Sequence, residues 1–179
     1  ATNGFPHMLV NNAFAPNGTS LWYSFLMRQE NHVWESSFGG LYLANTANSD
    51  TLYIGKAWEA PLWRVEAGSN ITIPSHQTTN GQTYLFVVRI DFKSGNEDVR
   101  VWVNPPLQAA PPSDASAALF NGKDFTFDQM FFACGGAVMS ADELRLGTTW
   151  QSVVPFTEIP EPAAIAMLLC GAVVVRRCR

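Results

Sequence analysis

"YLFVVRIDFKSGNEDVRVWVNP", from Tyr84 to Pro105, is the stretch that decides the fold. Val88, Ile90 and Phe92 fall on alternate positions of its first half, and Val99, Val101 and Val103 on alternate positions of its second. A period of two puts each trio on one face of a strand. Between them "KSGNED" (Lys93 to Asp98) has the Gly-Asn chemistry of a tight reversal, so the segment predicts a β-hairpin.

The neighbouring segments extend the same pattern. "SLWYSFLMR" (Ser20 to Arg28) is aromatic and apolar on both faces, as a central strand covered on both sides should be. "FGGLYLAN" and "TLYIGKAW" predict short strands joined by the turn "NTANSD" (Asn45 to Asp50). "GSNITIPS" predicts an edge strand closed by Pro74. "PPLQAAPPSDASAA" (Pro105 to Ala118) is a loop, because its prolines exclude strand or helix interior. It does not divide two domains, since the roughly 35 residues beyond it are too few for an independent core. "FTFDQMFFACGG" and "VMSADELRLGTTW" predict two further strands. About eight strands without intervening helices predict antiparallel sheets packed face to face, an all-β sandwich.

The chain ends differently, in "IPEPAAIAMLLCGAVVVRRCR". Ala163 to Val175 has no charge and no proline, and Pro162 suits a first helical position. At about 1.5 Å per residue the segment reaches roughly 20 Å, short of a bilayer core of about 30 Å. Thinning of the bilayer and snorkelling of Arg176 and Arg177 would close part of that gap. A core helix would carry a polar face, and this segment has none. The order Pro160-Glu161-Pro162, short apolar helix, terminal arginines resembles the PEP-CTERM sorting signal of exported bacterial proteins. The resemblance implies an exosortase as partner, Pro160, Glu161 and Pro162 as its recognition motif, and Arg176, Arg177 and Arg179 as the membrane stop signal. It also implies transit through the inner membrane on a short C-terminal transmembrane helix, then the cell surface or extracellular matrix. The expected division is therefore residues 1–155 as one domain and residues 156–179 as the sorting tail.

Composition agrees with a turn-rich β domain: 12% of residues are aromatic, and Gly and Pro supply 13 and 11. Up to Pro155 there are 8 Lys/Arg against 13 Asp/Glu, a net of −5 (8 − 13), which argues against nucleic acid as a partner. Of the 3 cysteines only Cys134 precedes the tail, so this domain has no internal disulfide and Cys134 is expected to be a small buried hydrophobe. The sequence has no initiator Met and no leader, whereas the tail demands export; a processed or N-terminally truncated chain is expected.

"LWYSFLMR", "LYIGKAW", "LFVVRIDF…VRVWVNP" and "ADELRLGTTWQSVVP", in that order, resemble the concanavalin A-like, laminin G-like jelly-roll domain that precedes PEP-CTERM tails. The resemblance spans about Leu21 to Pro155, with "WVNP" and "DELRLGTTW" its most specific pieces. It implies a fold, a taste for carbohydrate, and in some relatives calcium or hydrolysis of sugars. "ATNGFPHMLVNNAFAPNG" is expected to lack the upstream strands of such domains.

Hydrolysis of that kind draws on two carboxylates beside the scissile bond, yet no two Asp/Glu lie two residues apart in this chain. Asp142 and Glu143 are adjacent and should point to opposite faces; Glu97 and Asp98 are expected as solvated turn charges. His7, His32 and His76 have no metal-ligand spacing, and no nucleophile elbow is present. Asn45, Asn48 and Asp50 offer oxygens to calcium but lack the regular spacing of a dedicated loop; ordinary turn chemistry accounts for them. Among the 6 tryptophans, Trp58 and Trp63 beside Pro61, and Trp102 on the more exposed face of its strand, are the candidates to stack on a sugar. The expectation is a non-enzymatic, exported cell-envelope or matrix module binding exopolysaccharide or another glycan. A polysaccharide-active glycoside hydrolase of the same fold is the alternative.

Overall fold

The computed structural model describes residues 8–9, 16–31, 37–47, 50–56, 58, 61–68, 70–136 and 138–155. Eleven strands and one short helix follow in order among them: β1 (Met8–Leu9), β2 (Ser20–Asn31), β3 (Phe38–Ala44), β4 (Thr51–Lys56), β5 (Leu62–Glu66), β6 (Asn70–Gln77), β7 (Thr83–Asp91), β8 (Asp98–Val103), β9 (Ala118–Phe120), β10 (Gln129–Gly135), β11 (Val138–Gly147) and α1 (Trp150–Val153). They form a six-stranded sheet, β1-β10-β3-β4-β5-β6, and a five-stranded sheet, β11-β2-β7-β8-β9, antiparallel throughout. β10 pairs with both β1 and β3, and β11 with β2, so early and late strands lie side by side in each sheet. That is the winding of a jelly roll.

Side-chain alternation builds the core between the sheets. β2 contributes Leu21, Tyr23, Phe25 and Met27; the hairpin of β7 and β8 contributes Val88 and Ile90 opposite Val101 and Val99. Phe25 stacks on Phe86 at 4.9 Å, and the Trp63 ring of the other sheet meets Phe86 edge-on, also at 4.9 Å. Such pairs add about 0.5–1.5 kcal/mol each beyond burial. The outer face of the five-stranded sheet carries a second, smaller core of Trp22, Val87, Trp102, Trp150, Val153 and Val154. β2 is thus covered on both faces, as its sequence requires.

The structure departs from the sequence expectation at several places. Pro74 does not close its strand: β6 runs on to Gln77 at the edge of its sheet, where a residue without an N–H is tolerated. Met8–Leu9 forms a strand on β10, where no upstream strand was expected. "LWRVE", for which no strand was expected, is β5. The "TTW" end of the last predicted strand turns into α1. Among the described residues no helix is long and apolar enough to cross a membrane; the tail, with Pro160, Glu161, Pro162, Arg176, Arg177 and Arg179, lies outside them.

Candidate functional site

The outer face of the six-stranded sheet is built by the residues that alternate with the core. In β3 Leu41 and Leu43 point inward, so Gly40 and Tyr42 point outward; in β4 Leu52 and Ile54 are buried in the core and Tyr53 and Gly55 take the other face. Register then lines these residues up across strands. Phe131, Tyr42, Tyr53 and Glu66 form one row, and Ala133, Gly40, Gly55 and Arg64 form the next.

The first row is aromatic, with Phe131 and Tyr42 partly exposed and Tyr53 buried at 5% exposure. Phe131 and Tyr42 stack at 5.2 Å with planes 6° apart, and Tyr42 meets Tyr53 at 4.7 Å. The glycines of the second row make room for the Tyr53 ring. A Cβ on Gly40 would come within 2.6 Å of that ring and 2.5 Å of the Ile54 carbonyl oxygen. The Tyr53 hydroxyl donates to the Lys56 carbonyl oxygen. Beyond the glycines, Phe38 and Trp58 pair at 4.4 Å, with Trp58 51% exposed.

Two charged groups on β5 continue the rows toward the edge strand β6. Arg64 Nη1 lies 4.0 Å from Glu66 Oε1, while Arg64 Nε is buried without a hydrogen-bond partner. Burial pushes the Glu66 carboxyl above its ordinary range, opposed by the Arg64 charge. Burial, and then the Glu66 charge, push the Tyr42 phenol up as well. The partly exposed rings of Phe131 and Tyr42, with Arg64 and Glu66 beside them, make a shallow aromatic surface with a polar rim.

The tryptophans chosen from sequence are scattered. Trp58 belongs to this face, but Trp63 is fully buried in the core because β5 turns it inward opposite Arg64 and Glu66. Trp102 is 3% exposed, contrary to expectation: it stacks on Trp22 at 5.7 Å under the segment after β8, and its Nε1 donates to Ser116 Oγ. Both indoles present no face to solvent. Tyr42, Tyr53, Phe131, Arg64 and Glu66 were missed. The signal was present in "LWRVE", where Trp63 and Val65 alternate with Arg64 and Glu66, but the cross-strand row that assembles the face is a property of register alone.

The oxygens considered for calcium are occupied by turn chemistry. Asn45 Oδ1 accepts from the Ala47 N–H, and its Nδ2 donates to Thr126 Oγ1. The Asp50 carboxylate sits 2.9 Å from the Lys123 ammonium, and Asn48 lies outside the described residues. Among the described residues no group of three or more His, Cys, Asp and Glu could hold a metal; His7 and His32 lie outside them.

Glu97, expected as a solvated turn charge, is 3% exposed, and its Oε2 accepts from the Phe125 N–H at 3.0 Å. Its neighbour Asp98 opens β8 and bonds Lys93 and Arg100. At Asp142 and Glu143 a register shift breaks the expected alternation, Glu143 adopts φ +56°, and its carboxylate pairs with Arg145 at 2.7 Å. Cys134 is a free thiol, only partly buried, and with Met27, Phe132, Met139 and Ala141 it lines an apolar cleft of about 220 Å³ between β10 and β11.

No family model matches the chain, and no curated protein matches it in sequence. Among solved structures it is similar to a tetrameric galectin from the ball sponge Cinachyrella sp., with 11% identity and a TM-score of 0.46 over 82% of this chain and 100% of the galectin. It is also similar to an alginate lyase from Pseudomonas aeruginosa, with 15% identity and a TM-score of 0.37 over 74% of this chain and 66% of the lyase. Likeness at this level carries nothing about chemistry.

Proposed function

We propose that this chain is an exported, non-enzymatic jelly-roll module that binds carbohydrate on the outer face of its six-stranded sheet. The observation that carries the reading is the stacked, partly exposed pair Phe131–Tyr42, backed by the buried Tyr53 ring and flanked by the half-exposed Trp58 on Phe38. Extended sugar chains need flat rings side by side more than a deep cavity, and this face offers them across neighbouring strands. Glu66 is the one carboxylate among the described strand residues of the face, whereas glycoside hydrolysis draws on two; that favours binding over the hydrolase alternative. Delivery through the tail, with an exosortase reading Pro160, Glu161 and Pro162, belongs to the same proposal, and rests on the order of those residues, the apolar segment and the arginines.

The test is a glycan array on the full chain, with and without chelator, alongside an assay of reducing-sugar release. Tyr42→Ala and Trp58→Ala should each weaken glycan binding roughly three- to tenfold, the worth of one aromatic contact, with no sugar released and no effect of chelator. Binding that is indifferent to both substitutions, or released reducing ends, would overturn the reading.

A further inference from the structure

Arg64 has hydrogen-bonding capacity that its neighbours leave unused. A guanidinium has five N–H donors in a planar fork. The Nε of Arg64 is buried and unpartnered, and its ion-pair contact, Nη1 to Glu66 Oε1, is 4.0 Å long, beyond hydrogen-bond reach. The residues abreast of it in register are Gly55, Gly40 and Ala133. On its other side stands Thr72 of β6, so the guanidinium lies between a strip of small residues and the edge strand, beside the aromatic row. The acceptor that matches such a fork is a planar carboxylate, taken two bonds at a time.

On the reading of this face as a glycan surface, we propose that the glycan is acidic: a hexuronate-containing polysaccharide whose rings lie on the Phe131–Tyr42 pair and whose carboxylate Arg64 receives. The chain carries a net charge of −4, which repels polyanions at long range. Retention on a polyuronate must then come from a local cation. Glu66, on the same face and 4.0 Å from the guanidinium, competes with the ligand for it. The two residues therefore act in opposite directions, a signature that general loss of structure does not produce.

The experiment measures the affinity of the full chain for polygalacturonate and polymannuronate, and for the methyl esters of both, which keep the backbone and remove the charge. The wild type should bind the acids at least tenfold more tightly than the esters. Arg64→Gln should erase that preference while leaving ester binding in place, and Glu66→Gln should strengthen acid binding severalfold. Should Arg64→Gln fail to fold, the acid-to-ester ratio of the wild type and the Glu66→Gln gain decide alone. Equal affinity for acid and ester overturns the uronate assignment and leaves the glycan face standing. Binding to no glycan, acidic or neutral, on the array or here, overturns the face itself and this proposal with it.

Discussion

Lys56 is fully buried on the inward side of β4, its Nζ donating to the Ser37 carbonyl oxygen. Burial, helped by the Arg64 charge, holds its pKa below the ordinary 10.5. The unfolded chain then binds this proton more tightly than the folded one, so folding works against it at neutral pH. Stability should rise as pH climbs through the lowered value toward 10.5. Urea midpoints of the wild type should increase between pH 7 and 9.5, and Lys56→Met should lose that increase; parallel curves would refute the assignment. Tyr23 and Tyr53, whose phenols burial pushes up, act with the opposite sign above pH 10, which is why the window stops below it. None of this was legible in "TLYIGK" read alone, since period-two alternation fixes the side of the strand but not whether a lysine there finds a carbonyl.

At the level of elements, the segment from Asn104 to Ala117 matters most. Its prolines announce a loop, and the sequence says no more than that. In the structure it is a strap over the second core: Trp150 Nε1 donates to the Gln108 carbonyl oxygen, and Gln151 Nε2 to that of Ala109. Asp114, in a single 3₁₀ turn, accepts from Arg89 at 2.7 Å and pairs with Arg100 at 3.2 Å. Bonds to main-chain carbonyls leave no mark on residue identity, so the covering of Trp102 could not be read from alternation, which placed it outward and correctly so. Outward on this sheet means under the strap. Asp114→Asn should cost about 1 kcal/mol or less, as half-exposed ion pairs do, and the loss should shrink in high salt. Denaturant curves at two ionic strengths check this.

For the molecule as a whole, the hairpin and the apolar alternation made the two-sheet sandwich legible from sequence. The nesting of β5 between β4 and β6 escaped because five residues beside Pro61 give too short a period to count. The buried clusters draw on residues from Leu21 to Val154, upstream of the tail. The proposed route makes its own prediction. Replacing Pro160, Glu161 and Pro162 together with alanine should leave export intact but hold the protein in the inner membrane of an exosortase-bearing host. The wild type should be shortened by roughly the apolar tail and found beyond that membrane, as fractionation and mass will show. A triple variant released as efficiently as the wild type would rule out the exosortase route and leave the sandwich untouched.

The indoles under the strap have an optical consequence. Trp22 and Trp102 lie parallel to within 9°, Trp150 stands at 83° to Trp22, and the three ring centres are 5.7–6.2 Å apart. Electronic transitions of identical chromophores this close mix into shared excited states, and an asymmetric trio of them gives a paired positive and negative band in circular dichroism. Trp63, in the core on the other side of the sheet, has aromatic neighbours of other kinds. The molecule thus carries a built-in gauge: the coupled band reports whether the strap is seated, while the rest of the ultraviolet spectrum reports on the sandwich.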